Sequence, residues 1–375
     1  MKIAIVTETF LPSTDGVVTR MVHAVDYLLE QGHQVLILSP KVKGAISRYK
    51  SAKVLNMPAL NFSFYKERAW GIPTSKVGKA LKGFQPDIVH CVNPISLGYS
   101  GVHYAKKYQI PLICSFHTNV PMYLDLYHMG TFKEPLWGHL RKLHNSASLN
   151  LVTSKAMAEL LASQRIENIR TLPIGVDLSK RHVEYASKRM RRRLTDGQVD
   201  KTLLIFVGRL APEKELHTLR GLMDLRDDIR LAIVGDGPSR EELKELFEGT
   251  DTVFTGFLKG RALASAYASA DAFVFPSVSE TLGLVITESM ASGTPVIAAD
   301  SPPTREQIVN GNNGLIYQQD DLDSLMAAID VLKDRAFYKK IQKEGRHFAS
   351  QFSWERASRE MEKAYEDVLA MAGEG

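Results

Sequence analysis

The segment SVSETLGLVITESMASGTPVIA, residues 277–298, gathers residue types that can hold a phosphorylated ligand. A buried strand ending at Pro276 runs into a polar loop, and a helix opens around Gly283 and closes before Gly293. The N–H groups of Gly283, Leu284 and Val285 have no partner within that helix. With the helix dipole they make a seat for a diphosphate, and glycine at 283 lets a phosphate approach the backbone closely. Glu280 in the loop and Glu288 in the helix flank this seat. Glu288 is placed to accept both hydroxyls of a ribose, and Glu280 to face a sugar. Either alone would pass for a cap or a surface glutamate; strand end, glycine and helix start in register favour a ligand.

A second set lies in VGRLAPEKE, residues 207–215. The strand ends at Gly208, and Arg209 and Lys214 project from the loop that follows. Two cations there can neutralise a diphosphate and stabilise it as a leaving group. In TETFLPSTDGVVTR, residues 7–20, Asp15-Gly16 is a tight-turn signal opening a helix at Val17. Gly16 leaves room for backbone donors to meet a phosphate, although a plain β-to-α turn explains the pattern nearly as well. In SFHTNVPMY, residues 115–123, His117 follows a buried strand. It is read as a donor to sugar hydroxyls near a reacting carbon, against the alternative of a structural histidine.

Other chemistry is disfavoured. The single Asp-x-Asp, Asp321 and Asp323, lies in a polar, helix-forming stretch far from these segments, so no metal is expected to bridge the diphosphate. No Gly-x-Gly-x-x-Gly opens the first helix and no Gly-Lys-Ser/Thr occurs, which argues against a dinucleotide cofactor and a P-loop. No cofactor is expected. The glycines of Gly235-Asp236-Gly237 read as a turn with a nucleotide contact in reach.

The elements that must position these residues are short β-branched runs alternating with amphipathic helices. Strands are expected at 2–6, 34–38, 87–92, 111–116 and 150–153, with helices at Val18–Gln31 and Leu97–Tyr108. The scheme then restarts with strands at 202–208, 230–235, 253–256, 272–276, 295–298 and 314–317. Runs apolar on both faces, alternating with helices, imply parallel sheets covered on both sides. The fold class is α/β, with two doubly wound, Rossmann-like domains split near residue 175 and a ligand cleft between them. Between them, LPIGVDLSKRHVEYASKRMRRRLTDG (172–197) is polar, basic and without a strand. Its KRMRRR run is either a membrane-attracting cluster or an exposed linker face.

Charge divides unevenly along the chain. Residues 1–178 hold 20 Lys and Arg against 11 Asp and Glu (+9), 179–201 hold 8 against 3 (+5), and 202–375 hold 19 against 28 (−9). A basic front half suits an anionic partner. Nucleic acid is the less suitable one, because aromatic residues do not interleave with the arginines and the acidic half would repel phosphate backbones. Cys91 and Cys114 sit in apolar runs and read as reduced core thiols. After Met1-Lys2 only four apolar residues precede Thr7 and Glu8, and no apolar run approaches the roughly 20 residues that span a bilayer. A cytoplasmic protein is expected, peripheral on the inner face of the cell membrane.

Together these segments resemble the retaining glycosyltransferases of family four, which have the GT-B fold, and the resemblance covers essentially the whole chain. Glu280-x7-Glu288 is its most specific part. The resemblance implies that Glu280 contacts the donor sugar, Glu288 the ribose, Arg209 and Lys214 the diphosphate, and His117 the donor sugar, with Asp15 and Gly16 on the phosphate side. It also implies that the last helix, 354–372, returns to domain 1–175 to complete it, leaving 176–353 as the nucleotide-sugar domain. One departure is Ser301-Pro302-Pro303-Thr304, where the family often has paired glycines, in a loop the resemblance places near the donor sugar or acceptor.

Within the family, residues 7–20 and SFHTNVPMYLDLYHMG look most like the branch that glycosylates lipids, such as diacylglycerol and sulfoquinovosyl transferases. The expected partners are a nucleotide sugar, with UDP-glucose favoured and GDP-mannose next, a lipid or saccharide acceptor, and an anionic membrane surface. KEPLWGHLRKLHN, residues 133–145, is either an interfacial helix or a core helix through Leu136, Trp137, Leu140 and Leu143. A sugar-nucleotide epimerase would share the fold but is not supported by the Glu-x7-Glu segment.

Overall fold

The computed structural model describes every residue except Ser63, Phe64, His128, Glu374 and Gly375. Two compact units emerge: Met1–Gly175 with Trp354–Gly375, and Val176–Ser353.

In the first unit the strands are β1 (Lys2–Thr7), β2 (Gln34–Pro40), β3 (Arg48–Tyr49), β4 (Ala52–Met57), β5 (Ala59–Phe62), β6 (Tyr65–Gly71), β7 (Ile88–Val92), β8 (Leu112–Phe116), β9 (Leu149–Val152) and β10 (Ile169–Thr171). Eight form one sheet in the order β10-β9-β8-β7-β1-β2-β4-β3, parallel except for β3 against β4. β5 and β6 pair antiparallel on their own. The chain leaves β1 toward β2 and β4, then returns to the other side of β1 as β7, so the strand order reverses at β1/β7. Successive residues of β1 serve opposite layers. Ile3 and Ile5 pack with Met21, Val25 and Tyr365, whereas Ala4 and Val6 pack with Val77, Leu97 and Val102. This two-sided burial is why the strand reads as an unbroken apolar run.

The second unit holds β11 (Thr202–Val207), β12 (Ile229–Val234), β13 (Thr252–Gly256), β14 (Ala272–Phe275), β15 (Val296–Ala299) and β16 (Leu315–Tyr317), all parallel, in the order β13-β12-β11-β14-β15-β16. Here the order reverses at β11/β14. In sheets of this kind, ligands bind outside the carboxyl ends of the strands at the reversal.

Observed strand bounds lie within a residue or two of the expected ones. The expectation did not include β3 to β6 or β10, which are short or half-covered: β4 mixes buried, half-buried and exposed positions instead of running apolar. The helix Lys133–His144 is settled as a core helix, since Trp137 and Leu140 are buried with Phe116 and Val152, and Leu143 with Leu112 and Cys114. Trp137, Leu140 and Leu143 are therefore not offered to an interface. Within KRMRRR, Arg191 is structural. It binds Asp271 at 2.8 Å and the carbonyls of Val199 and Lys201 at 2.9 Å each, while Arg192 and Arg193 are exposed. Asp321 caps the helix Leu322–Val331 by accepting from Ser324 N at 2.9 Å, a sufficient reason for its carboxylate. Cys91 and Cys114 are free, buried and opposite each other on β7 and β8. Among the described residues no helix is long and apolar enough to cross a membrane.

Candidate functional site

Both sheet reversals carry the loops singled out from the sequence. After β11 the chain passes Gly208, Arg209 and Leu210 and enters a short turn at Pro212–Lys214. This loop is braced by the one after β12: Gly208 N donates to Val234 O and Leu210 N to Asp236 O, both at 3.0 Å. The approach is close enough that a Cβ on Gly235 would lie 1.8 Å from Gly208 O, and one on Gly237 2.2 Å from Leu210 O. Packing alone accounts for the two glycines of Gly235-Asp236-Gly237.

The loop after β14 is stitched to the same turn. Ser277 Oγ and Ser279 Oγ both donate to Glu213 O, at 2.7 and 2.9 Å. Val278 N donates to the carboxylate of Glu215 at 3.0 Å. Glu215 sits at φ +52°, a left-handed conformation that its carboxylate bond helps to hold, and burial raises its pKa. These bonds set Lys214 against Glu280, whose side chains form an ion pair and are 16% and 17% exposed. Arg209 pairs with the buried Glu213. Both cations are thus anchored by carboxylates, yet a guanidinium has five donors and an ammonium three, which leaves capacity for phosphate oxygens.

Gly283, at φ +78°, caps the helix Leu284–Ala291, whose first N–H groups include Leu284 and Val285. A Cβ there would come within 3.3 Å of the Phe275 ring. Glu288 lies on this helix, 24% exposed; it accepts from Tyr267 Oη at 3.4 Å and forms an ion pair with Arg181 Nη2 at 3.2 Å. The Ser-Pro-Pro-Thr departure is a well-formed helix start. Ser301 caps Pro302–Gln307 with prolines in the first turn. Gln307 reaches back to donate to Leu282 O and to accept from Thr287 Oγ1 at 2.7 Å.

In the first unit, Asp15 caps the helix Gly16–Glu30. Its carboxylate accepts from Val18 N at 2.9 Å and Thr9 Oγ1 at 3.2 Å, and Gly16 is the first helical residue. The neighbouring loop after β7 is tied in by Glu8, which accepts from Ile95 N, Ser96 N and Gly98 N at 3.1, 2.8 and 2.9 Å. His117 follows β8. Its backbone N donates to Asn93 Oδ1 at 2.6 Å and its Nε2 lies 2.9 Å from Ser115 Oγ. Ser115 continues to His90 Nε2 at 2.8 Å, and His90 Nδ1 to Tyr365 Oη at 2.8 Å on the last helix. Burial, with the charge of Arg20, holds the His117 pKa well below the usual histidine range. The ring is therefore a neutral hydrogen-bonding group near pH 7.

In the second unit Arg209, Lys214, Glu280 and Gly283 lie on the two loops at the sheet reversal, with Lys214 against Glu280; in the first, Asp15 and Gly16 follow β1 at the reversal, and His117 follows β8, one strand beyond β7. Glu288 sits beside the first set, on the helix that Gly283 opens. What the sequence reading missed are the residues that hold these in place, namely Ser277, Ser279, Glu213, Glu215, Glu8, Arg181 and Tyr267. Among the described residues, no three His, Cys, Asp or Glu side chains cluster as a metal site would need.

Residues 14–180 match the model for Glycosyltransferase Family 4 and residues 191–348 that for Glycosyl transferases group 1. A GDP-mannose-dependent alpha-mannosyltransferase of Mycolicibacterium smegmatis is 36% identical over 88% of this chain and 87% of its own length. The sulfoquinovosyl transferase SQD2 of Arabidopsis thaliana is 33% identical over 92% of this chain and 69% of its own. This chain belongs to the family 4 glycosyltransferases. An alpha-monoglucosyldiacylglycerol synthase of Streptococcus pneumoniae is 29% identical to this glycosyltransferase over 88% of its chain and 80% of the relative's. A sucrose-phosphate synthase from Thermosynechococcus elongatus superposes on it with a TM-score of 0.80 at 21% identity, covering 99% of both chains. That likeness shows the GT-B fold, two Rossmann-like units with parallel sheets. The enzyme is a sugar transferase.

Proposed function

We propose that the enzyme moves a hexose, with retention of configuration, from a UDP-sugar such as UDP-glucose to a hydroxyl of a membrane glycerolipid or glycolipid. The observation that carries the donor half is the pairing of Lys214 with Glu280 beside Arg209, where the sheet of the second unit reverses. Arg209, Lys214 and the start of the helix Leu284–Ala291 hold the diphosphate, Glu288 the ribose and Glu280 the sugar. No metal or cofactor enters this scheme. As the C–O bond to the diphosphate breaks, negative charge grows on the leaving oxygen, where fixed cations lower the barrier most.

The leaving diphosphate helps to take the acceptor proton, and the acceptor attacks from the face the diphosphate departs. His117, neutral and oriented by Ser115 and Asn93, donates to the sugar near the reacting carbon. The lipid acceptor is supported by the S. pneumoniae relative and by the +9 charge of residues 1–178, which suits an anionic inner leaflet to which the enzyme binds peripherally. A second reading, mannosyl transfer from GDP-mannose, is favoured by the M. smegmatis relative.

The test is thermal unfolding with UDP, GDP and ADP, each with and without magnesium or a chelator, followed by lipid extraction after incubation with the matching nucleotide sugar and diacylglycerol vesicles. We expect UDP to raise the midpoint regardless of chelator and an α-linked glycolipid to form. A shift with GDP alone selects the mannosyl reading. No shift with any nucleotide, with or without vesicles, refutes the donor site.

A further inference from the structure

Glu288, the carboxylate read as the ribose acceptor, is not alone on its helix. Arg181, in the basic stretch that the sequence offered only as a linker, places Nη2 3.2 Å from Glu288 Oε1. Tyr267 places its hydroxyl 3.4 Å from Glu288 Oε2. The Arg181 guanidinium lies over the Tyr267 ring, 5.7 Å from its centroid. Tyr267 is fully buried and the Arg181 side chain only 11% exposed. A half-exposed surface pair would hold neither residue in one place; here a packed ring fixes the arginine and both fix the carboxylate.

We propose that Arg181, with Tyr267, is a positioning residue that fixes Glu288 for bidentate recognition of the 2′- and 3′-hydroxyls of the donor's ribose. The assignment rests on the donor-site reading above. Each carboxylate oxygen can accept two hydrogen bonds. The Arg181 ion pair lies against Oε1 and the Tyr267 hydroxyl takes one position on Oε2, which leaves an acceptor position on each oxygen. Two adjacent hydroxyl donors match two such acceptors. Without Arg181 the carboxylate can turn about its terminal torsion, a broad two-fold rotor, and one of the two ribose bonds is lost. A site built to hydrogen-bond a hydroxyl discriminates strongly against the analogue that lacks it, so Arg181 sets the preference for ribose over deoxyribose.

The experiment compares UDP and GDP with their 2′-deoxy forms, measuring Kd by calorimetry on the full chain for wild type, Arg181→Met and Tyr267→Phe, with unfolding midpoints as the folding control. Wild type should bind the ribonucleotide at least tenfold more tightly than the deoxynucleotide. Arg181→Met should erase most of that ratio by weakening the ribonucleotide about tenfold and leaving the deoxynucleotide within twofold. The KM for the sugar nucleotide should rise with kcat held within threefold. Tyr267→Phe, which keeps the buried ring, should move the ratio the same way by a smaller factor. Equal weakening of both nucleotides by Arg181→Met would overturn the proposal and leave the donor site standing. A wild type that does not distinguish ribose from deoxyribose would overturn the Glu288 reading and the proposal with it.

Discussion

Replacing Lys214 by methionine separates what this side chain does for the reaction from what it does for the fold. In the structure its ammonium pairs with Glu280, while Ser277, Ser279 and Glu215 hold the two loops together independently of it. The loops should therefore survive the change. Stranding one member of a fully buried ion pair costs about 3–5 kcal/mol. Here the two side chains are 16% and 17% exposed, so water recovers part of that, and a loss of about 2 kcal/mol is expected. For a unit of this size that lowers the unfolding midpoint by about 4–8 °C. Loss of the cation proposed to meet the leaving diphosphate should cost about 10²–10³ in kcat, or about 2.7–4 kcal/mol of transition-state stabilisation. The assay is nucleotide release coupled to lipid product, alongside calorimetric unfolding. The double variant Lys214→Met/Glu280→Gln removes the stranded charge, so it should recover most of the midpoint and none of the turnover. Turnover within tenfold of wild type, in either the single or the double variant, would refute the leaving-group role.

Two further outcomes follow from the geometry. Burial lowers the pKa of His90 to about 3 and of His144 to about 4, and holds His117 well below the usual range. The unfolded chain takes up these protons near pH 6.5 while the folded one does not, so stability is full above pH 6.5 and falls as pH drops toward the folded values. At pH 5.5 each ring costs about 1.4 kcal/mol relative to pH 7.5, and an unchanged urea midpoint between those two pH values would contradict their burial as neutral rings. Gly237→Ala places a Cβ 2.2 Å from Leu210 O, so the loops after β11 and β12 must part by about 1 Å to restore van der Waals contact. Nucleotide affinity should fall at least tenfold with the unfolding midpoint, whereas Gly83→Ala, with nothing within 4 Å, should change neither.

The sequence by itself determined the class of fold and which loops carry the residues of the proposed donor site. Strands buried on both faces, such as β1, β7 and β11, read as nearly unbroken apolar runs, and a strand followed by Gly208-Arg209 or by Glu280-Thr-Leu-Gly283 announces a loop at a sheet's carboxyl edge. It could not show β4 or the β5–β6 pair, because a half-covered strand carries a weaker pattern than a buried one. Nor could it decide whether Trp137 met lipid or core: the amphipathic pattern is the same for both, and only the presence of Phe116 and Val152 opposite the helix selects the core. The tertiary structure alone decided which charges meet. Arg209 with Glu213 is local and reachable from spacing, but Lys214 finds Glu280 across 66 positions, and Arg181 finds Tyr267 and Glu288 across longer spans still. Such pairings depend on which strands lie side by side, and the strand order reverses where β11 meets β14. One-dimensional periodicity records which face of an element is apolar; it holds no record of which neighbour that face is turned toward.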